Sequence, residues 1–403
     1  MKILIVTESI PFPPLNGREL PVAGIFEQLS IRHTVHLLVI ENNSRNSKDL
    51  SRIPESIQFL GYLPAKKWSN KKRIIKTILS LRYLLSPFYY TEEDVRKIIS
   101  HHVYDFIWIS PVLYYGLIIF CRQHNLHFFK KAAIGLNDAK TWLYRDLGSE
   151  MILTCTFNKS YFSRWLLSFF LEAEEKKYLA LVDLVHVQTQ HEQNKLEHLM
   201  SPSSHAKIIA AANGIKEELF SCTYKGIDSD KILFMTQLDG SRAEESKWFI
   251  KKVWSIIEIS LPDARLLLVG KPPKKTISFV VKKKNIIING YAENLLEIFD
   301  SVRLAVVPTF HSTGLINRIL DALTAGLPIV STPQAIATFP DIKINEQILS
   351  AVTPVAFADA VIRLYNNKEY RETISTEARQ YALKFPTWKK TAEEIENAMK
   401  KLM

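Results

Sequence analysis

The chain has 403 residues, long for one domain and comfortable for two. Its apolar and charged fractions, 47% and 23%, are ordinary for a globular protein and leave each half enough material for a full core, which excludes a disordered or fibrous chain. A net charge of +11 points to an anionic partner: a substrate, a membrane surface or a nucleic acid. No DNA- or RNA-binding motif accompanies that charge, so nucleic acid is set aside.

The first residues, MKILIVTESIPFPP, read as a strand followed by a loop and lack a signal-peptide cleavage pattern. No apolar run reaches the eighteen residues of a membrane span. Cys121, Cys155 and Cys222 are few, odd in number and far apart. They imply a reducing compartment and no metal site.

In chain order, Ile3 to Val6 is an apolar strand, and Pro11 to Gly17 is a loop long for a mere connection. Gly17, with Asn16 before it, lets a backbone approach a ligand closely, or simply turns the chain after the first strand. A helical stretch from Val22 to Leu29 and a strand from Val35 to Ile40 follow. Residues 66–82, KKWSNKKRIIKTILSLR, mix basic residues with Trp68, Ile74, Ile75, Ile78, Leu79 and Leu81. That is the pattern of an amphipathic helix lying on an anionic leaflet, or of a packed helix with a solvated basic face. Phe106 to Ile109 and Ala132 to Gly135 read as buried parallel strands. Residues 151–181 read as a helix on which Glu172, Glu174 and Glu175 are surface acids. Leu184 to Gln188 and Ile208 to Ala210 are further strands, with His186 a packed core histidine.

The second half repeats the alternation. Strands are expected at 231–235, 265–269, 286–288 and 304–307, and a helix over 246–259. Terminal helices at 356–364 and 390–402 cover the sheet. Alternating short strands and helices imply parallel sheets covered on both faces. Residues 271–284 read as a solvated basic loop. The densest signal is Gly314 to Pro340. Ile316, Ile319, Leu320 and Leu323 give a helix one apolar face, and Ala325-Gly326-Leu327-Pro328 ends it before the strand at Ile329-Val330. Ser312 or Thr313 is the expected N-cap of that helix. Its free N–H groups and dipole make a seat for a phosphate.

This segment resembles the donor-binding motif of family 4 retaining glycosyltransferases of the GT-B fold. Asp321, Ala322, Gly326, Pro328, Ile329 and Val330 fill the family's pattern, and Asn317-Arg318 resembles the subgroup common in bacterial surface-polysaccharide synthesis. The likeness extends to Ala212-Asn213-Gly214-Ile215 with Phe220 at the domain join, and to Trp248-Phe249, Val253-Trp254, Pro262 to Leu266, Val269-Gly270 and Gly290-Tyr291. One departure stands out. The first of the family's two spaced glutamates falls on Thr313, and the second is Asp321.

The resemblance implies an α/β protein of two Rossmann-like doubly wound domains facing across a cleft. They would cover residues 1–220 and 230–385, with the helix of 386–403 crossing back to the first. It implies a nucleotide-diphosphate sugar as donor, a glycan or lipid-linked acceptor, no cofactor and no metal. On the donor side it points to Gln237, Arg242 and Lys247 after the first strand of the second domain, Lys247 and Arg242 as cations for the diphosphate. Tyr291 would meet the base; Thr313, Gly314, Leu315 and Asn317 would meet phosphate or sugar; Asp321 would accept the ribose hydroxyls. Arg318 would either pair with Asp321 one turn on or reach the diphosphate. In the first domain Asn16 and Gly17 would lie beside donor and acceptor. Asp138 would face the reacting sugar, or cap the next helix. The expected activity is retaining, metal-independent sugar transfer in the cytoplasm, peripheral to the inner face of the membrane. The alternative is a non-catalytic GT-B subunit, favoured by Thr313 and by the missing arginine at Gln237. An epimerase would need clustered acid/base residues that the sequence does not offer.

Overall fold

The computed structural model describes residues 1–14, 17–41, 50–67, 88–99, 102–136, 141, 144–145, 159–201, 204–235, 243–270, 285–290, 292, 294–310 and 314–403. These divide into two units, Met1–Gly214 with Trp388–Met403, and Ile215–Thr387. The division falls before the 220–230 stretch suggested by the sequence, because Ile215 and Leu219 pack into the core of the second unit.

In the first unit β1 (Lys2–Thr7) is buried from Ile3 onward, as a strand covered on both faces must be. It is joined by β2 (Thr34–Glu41), β3 (Ile57–Pro64), β6 (Tyr104–Ile109), β7 (Phe129–Gly135), β8 (Leu184–Val187) and β9 (Lys207–Ala210). All pair in parallel, in the order β3-β2-β1-β6-β7-β8-β9. The order reverses between β1 and β6, the switch point of a doubly wound sheet. A short antiparallel pair, β4 (Lys66–Lys67) and β5 (Phe88–Tyr89), stands apart. Lys66 and Lys67 are therefore strand residues rather than the start of an amphipathic helix; residues 68–82 of that reading lie outside the described residues.

Helix α1 (Glu19–Ser30) lies on one face of this sheet. Helix α2 (Lys159–Leu179) lies on the other and overturns one expectation. Glu174 and Glu175 are buried, not surface acids. The Tyr115 hydroxyl donates to Glu174 Oε1 at 2.8 Å, and the Thr141 N–H donates to Glu175 Oε1 at 3.4 Å. Glu172, one turn earlier, is the more exposed acid and pairs with Arg145 and Lys176.

The second unit has β10 (Lys231–Met235), β11 (Arg265–Val269), β12 (Ile286–Gly290), β13 (Leu304–Val307), β14 (Ile329–Ser331) and β15 (Leu349–Ser350). All are parallel, in the order β12-β11-β10-β13-β14-β15, so this sheet switches between β10 and β13. Helix α3 (Ala243–Trp248) runs through a π turn (Phe249–Val253) into α4 (Trp254–Ser260). Helix α5 (Asn317–Thr324) connects β13 to β14, and α6 (Pro354–Asn366) and α7 (Lys368–Ala382) complete the layers.

The chain then returns to the first unit as α8 (Trp388–Lys400), which packs on α1. The contact is close: a Cβ placed on Gly24 of α1 would lie 2.2 Å from the Trp388 ring. Glu396 of α8 fastens the pair through the turn that follows α1, with Arg32 Nη2 at 2.6 Å and His33 Nε2 at 3.1 Å, and pairs within its own helix with Lys400 Nζ at 2.5 Å. Among the described residues no helix is long and apolar enough to cross a membrane.

Candidate functional site

The polar residues of the second unit gather where its strand order reverses. There β10 ends at Met235, and the connection from β13 leads into α5. Helix α5 exists because Ile319, Leu320 and Leu323 bury one stripe against the core. It stops at a Schellman turn: the Leu327 N–H reaches Ala322 O at 2.8 Å, and the N–H of Gly326, at φ +70°, reaches Leu323 O at 3.0 Å. The helix is thereby fixed in length, and so is the register of its polar face.

Two polar side chains one turn apart on that face meet different partners. Arg318 donates through Nη1 to the carbonyl of Met235, which ties the first turn of α5 to the end of β10. Asp321 takes the ammonium of Lys216 at 3.1 Å on Oδ2. Its side chain is 13% exposed. Burial raises the Asp321 carboxyl above the ordinary carboxylate value, Lys216 opposes that, and Glu218 adds to it. The sequence left open whether Arg318 pairs with Asp321. The structure gives Asp321 a cation from 105 residues earlier in the chain.

The N-cap position of α5 is Ile316, whose side chain makes no capping bond, so the helix starts later than the sequence suggests; Ser312 and Thr313 lie outside the described residues. Leu315 and Ile316 point into the core and offer a ligand only their backbone. Gly314 is buried, and Asn317 is half-buried at the first helical position. Behind this turn, Thr332 Oγ1 accepts the Thr309 N–H at 3.1 Å and donates to the Thr309 carbonyl, tying the ends of β13 and β14 together.

On the β10 side, Lys247 is half-buried in the last turn of α3. Glu245 of the same helix is only 5% exposed and accepts the Phe310 N–H at 3.0 Å, while Trp248 packs edge-on against the Phe310 ring. In the first unit Gly17 sits in an exposed turn. His186 is buried as expected, its Nε2 is 2.9 Å from the Ala211 carbonyl, and burial lowers its pKa to about 4. Asn16, Asp138, Gln237, Arg242, Tyr291 and Thr313 lie outside the described residues, as does the basic stretch 271–284.

The structure thus brings Arg318 to the end of β10 and Asp321 to Lys216, and ties Glu245 to the connection after β13; Lys216 and Glu245 are residues that the sequence reading did not single out. Lys216 had one signal, its place directly after Asn213-Gly214-Ile215. Glu245 had none beyond being an acid near the start of a helix.

A sequence model of the family described as "Glycosyl transferases group 1" matches residues 229–367, wholly within the second unit. Among curated proteins none matches the chain by sequence. The structure is similar over its full length to solved structures at low identity. Sucrose-phosphate synthase from Thermosynechococcus elongatus superposes with a TM-score of 0.71 at 16% identity, covering 100% of this chain and 99% of that one. HepE of Anabaena, solved with UDP, gives 0.67 at 13% identity with both chains fully covered, at 100% each. TarM of S. aureus gives 0.67 at 9% identity, covering 99% of this chain and 100% of that one. Two parallel doubly wound sheets and the full-length structural matches establish the GT-B fold, and within it residues 229–367 of the second unit carry the sequence signature described as glycosyl transferases group 1.

Proposed function

We propose that the protein is a retaining glycosyltransferase that moves a sugar from a nucleoside diphosphate sugar to a glycan or lipid-linked acceptor in cell-surface polysaccharide synthesis. The observation that carries this reading is Asp321: a buried carboxylate, balanced by Lys216, at the switch point of the second sheet. Ligands of doubly wound sheets bind outside the strand C-termini at that point. A carboxylate there suits the two hydroxyl donors of a ribose. The first turn of α5 and the Gly314 backbone suit a diphosphate. The solved structures of HepE with UDP and with UDP-glucose support the same class of donor here.

In the proposed reaction the bond from the anomeric carbon to the diphosphate oxygen breaks, and the acceptor oxygen bonds to that carbon on the same face. The acceptor's proton passes to the departing phosphate. Arg242, Lys247 and Arg318 stabilise the diphosphate charge, a task for fixed cations that requires no metal. Asn16, Gly17, Gln237, Tyr291, Thr313, Leu315 and Asn317 complete the substrate contacts, and Asp138 stabilises the reacting sugar. We place the protein in the cytoplasm, peripheral to the inner face of the membrane, with residues 66–82 and the +11 charge as the attraction.

The test is thermal stabilisation and slow hydrolysis across uridine, guanosine, cytidine and thymidine diphosphate sugars. Stabilisation with release of nucleotide is expected for one of them. Thr313, standing where the family has glutamate, favours a second reading, a non-catalytic subunit. Selective binding without release, even with lipid-linked acceptors present, would establish that reading instead. No binding at all would overturn the donor site.

A further inference from the structure

Lys216 enters the site from a fixed backbone. The Ile215 N–H donates to the Pro386 carbonyl at 2.9 Å, and Ile215 bridges to Thr387. The next residue therefore leaves a pinned point, and its ammonium reaches Asp321 across 105 residues of sequence. Both side chains are largely withdrawn from water, 23% and 13% exposed. An acid this sheltered stays ionised only beside a compensating charge.

Among the described residues, the other charged groups near Asp321 are engaged elsewhere or have the wrong sign. Glu218, on the short 3₁₀ turn Glu217–Ser221, is a second carboxylate and opposes ionisation. Arg318, on the same helix, donates to Met235. Arg379, from α7 packed along α5, donates to the carbonyls of Phe220, Cys222 and Ala325. The strands beneath, β13 and β14, carry no charged residue.

We propose that Lys216 is a positioning residue of the donor site: it binds Oδ2 of Asp321, keeps the carboxylate charged, and leaves Oδ1 to accept a ribose hydroxyl of a nucleoside diphosphate. This rests on the reading of Asp321 as the ribose-binding acid. A protonated carboxyl would present a hydroxyl where the ribose needs an acceptor. Lys216 thus acts on the nucleotide through Asp321 and not through the phosphates.

The experiment is calorimetric titration of UDP and GDP, each beside its 2′,3′-dideoxy analogue, into the wild-type protein and the Lys216→Met and Lys216→Arg variants from about pH 5 to about pH 9. Lys216→Met is expected to weaken the ribonucleotide by about tenfold or more, the order of one lost charge-assisted hydrogen bond, and to leave the dideoxy form unchanged. Ribonucleotide affinity falls as Asp321 takes up a proton, so in Lys216→Met that fall begins at a higher pH. Lys216→Arg restores both. If Lys216→Met does not fold, Lys216→Gln, which keeps a donor without the charge, carries the same test. A charge-removed variant that keeps the wild-type preference for ribonucleotide over dideoxy at every pH overturns the role of Lys216. Wild-type protein that binds both forms alike, or binds neither, overturns the reading of Asp321 itself, and the role of Lys216 with it.

Discussion

Glu245 and Phe310 join two connections of the second unit through one hydrogen bond, the Phe310 N–H to Glu245 Oε1 at 3.0 Å. One residue lies in the helix that follows β10, the other directly after β13. Removing the carboxylate strands an amide in a largely buried place. Glu245→Ala is expected to lose about 1–3 kcal/mol of stability in urea unfolding, and Glu245→Gln, which keeps an oxygen acceptor, distinctly less. Equal losses from both substitutions would show that the amide does not depend on this acceptor.

Gly326 has no permissible replacement. Its φ is +70°, and a Cβ there would lie 2.2 Å from Arg379 Nε. Arg379 has little freedom to retreat, since its guanidinium already serves three carbonyls. Gly326→Ala should cost at least about 2 kcal/mol, the left-handed backbone and the displaced arginine both contributing. Chemical denaturation measures it. A loss below about 0.5 kcal/mol would mean that the turn re-forms without the left-handed residue.

The pH dependence of stability should carry the mark of Glu396. Hydrogen bonds from Lys400, Arg32 and His33 outweigh its burial and pull its pKa from 4.5 to about 2. A carboxylate with a depressed folded-state pKa contributes stability above its unfolded value and loses it as pH falls through the folded value. The difference in melting temperature between wild type and Glu396→Gln should therefore hold at neutral pH and shrink between pH 4.5 and about 2. A difference that stays constant through that window would remove the ion pairs from the account.

Tyr115 supports a buried acid. Its hydroxyl donates to Glu174 Oε1 at 2.8 Å, and both residues are at most 1% exposed. Tyr115→Phe deletes the donor with almost no change in shape. About 1–3 kcal/mol should be lost, because the carboxylate stays behind with one bond fewer. Equilibrium unfolding by guanidinium reports it, and a neutral result would show that the carboxylate is fully served by other groups.

What the sequence made legible was local. Apolar spacing and a Gly-Pro stop marked α5 and its C-terminal turn, and runs such as LLLV and LAVV marked the central strands. Strand β3 escaped notice because Gly61, at φ +136°, breaks its alternation. Asp321 stood out through its motif, but its partner did not. Lys216 sits in the charged string Lys216-Glu217-Glu218, which reads as a solvated turn until the fold brings α5 against it. Glu174 and Glu175 misled in the same way. The run EAEEKK looks like an outer face, and only the position of Tyr115 shows two of its acids turned inward. Charge partners set by topology leave no periodic trace along the chain.

The path of α8 has a consequence for biosynthesis. A ribosome delivers the whole first sheet, and then all of the second unit, before it releases the helix whose Trp388 covers Gly24. The unit that is synthesised first is therefore the last to be completed. Until α8 has been made, α1 is without the surface that packs against it, and a chain cut after Thr387 would lack a piece of its first unit rather than of its second.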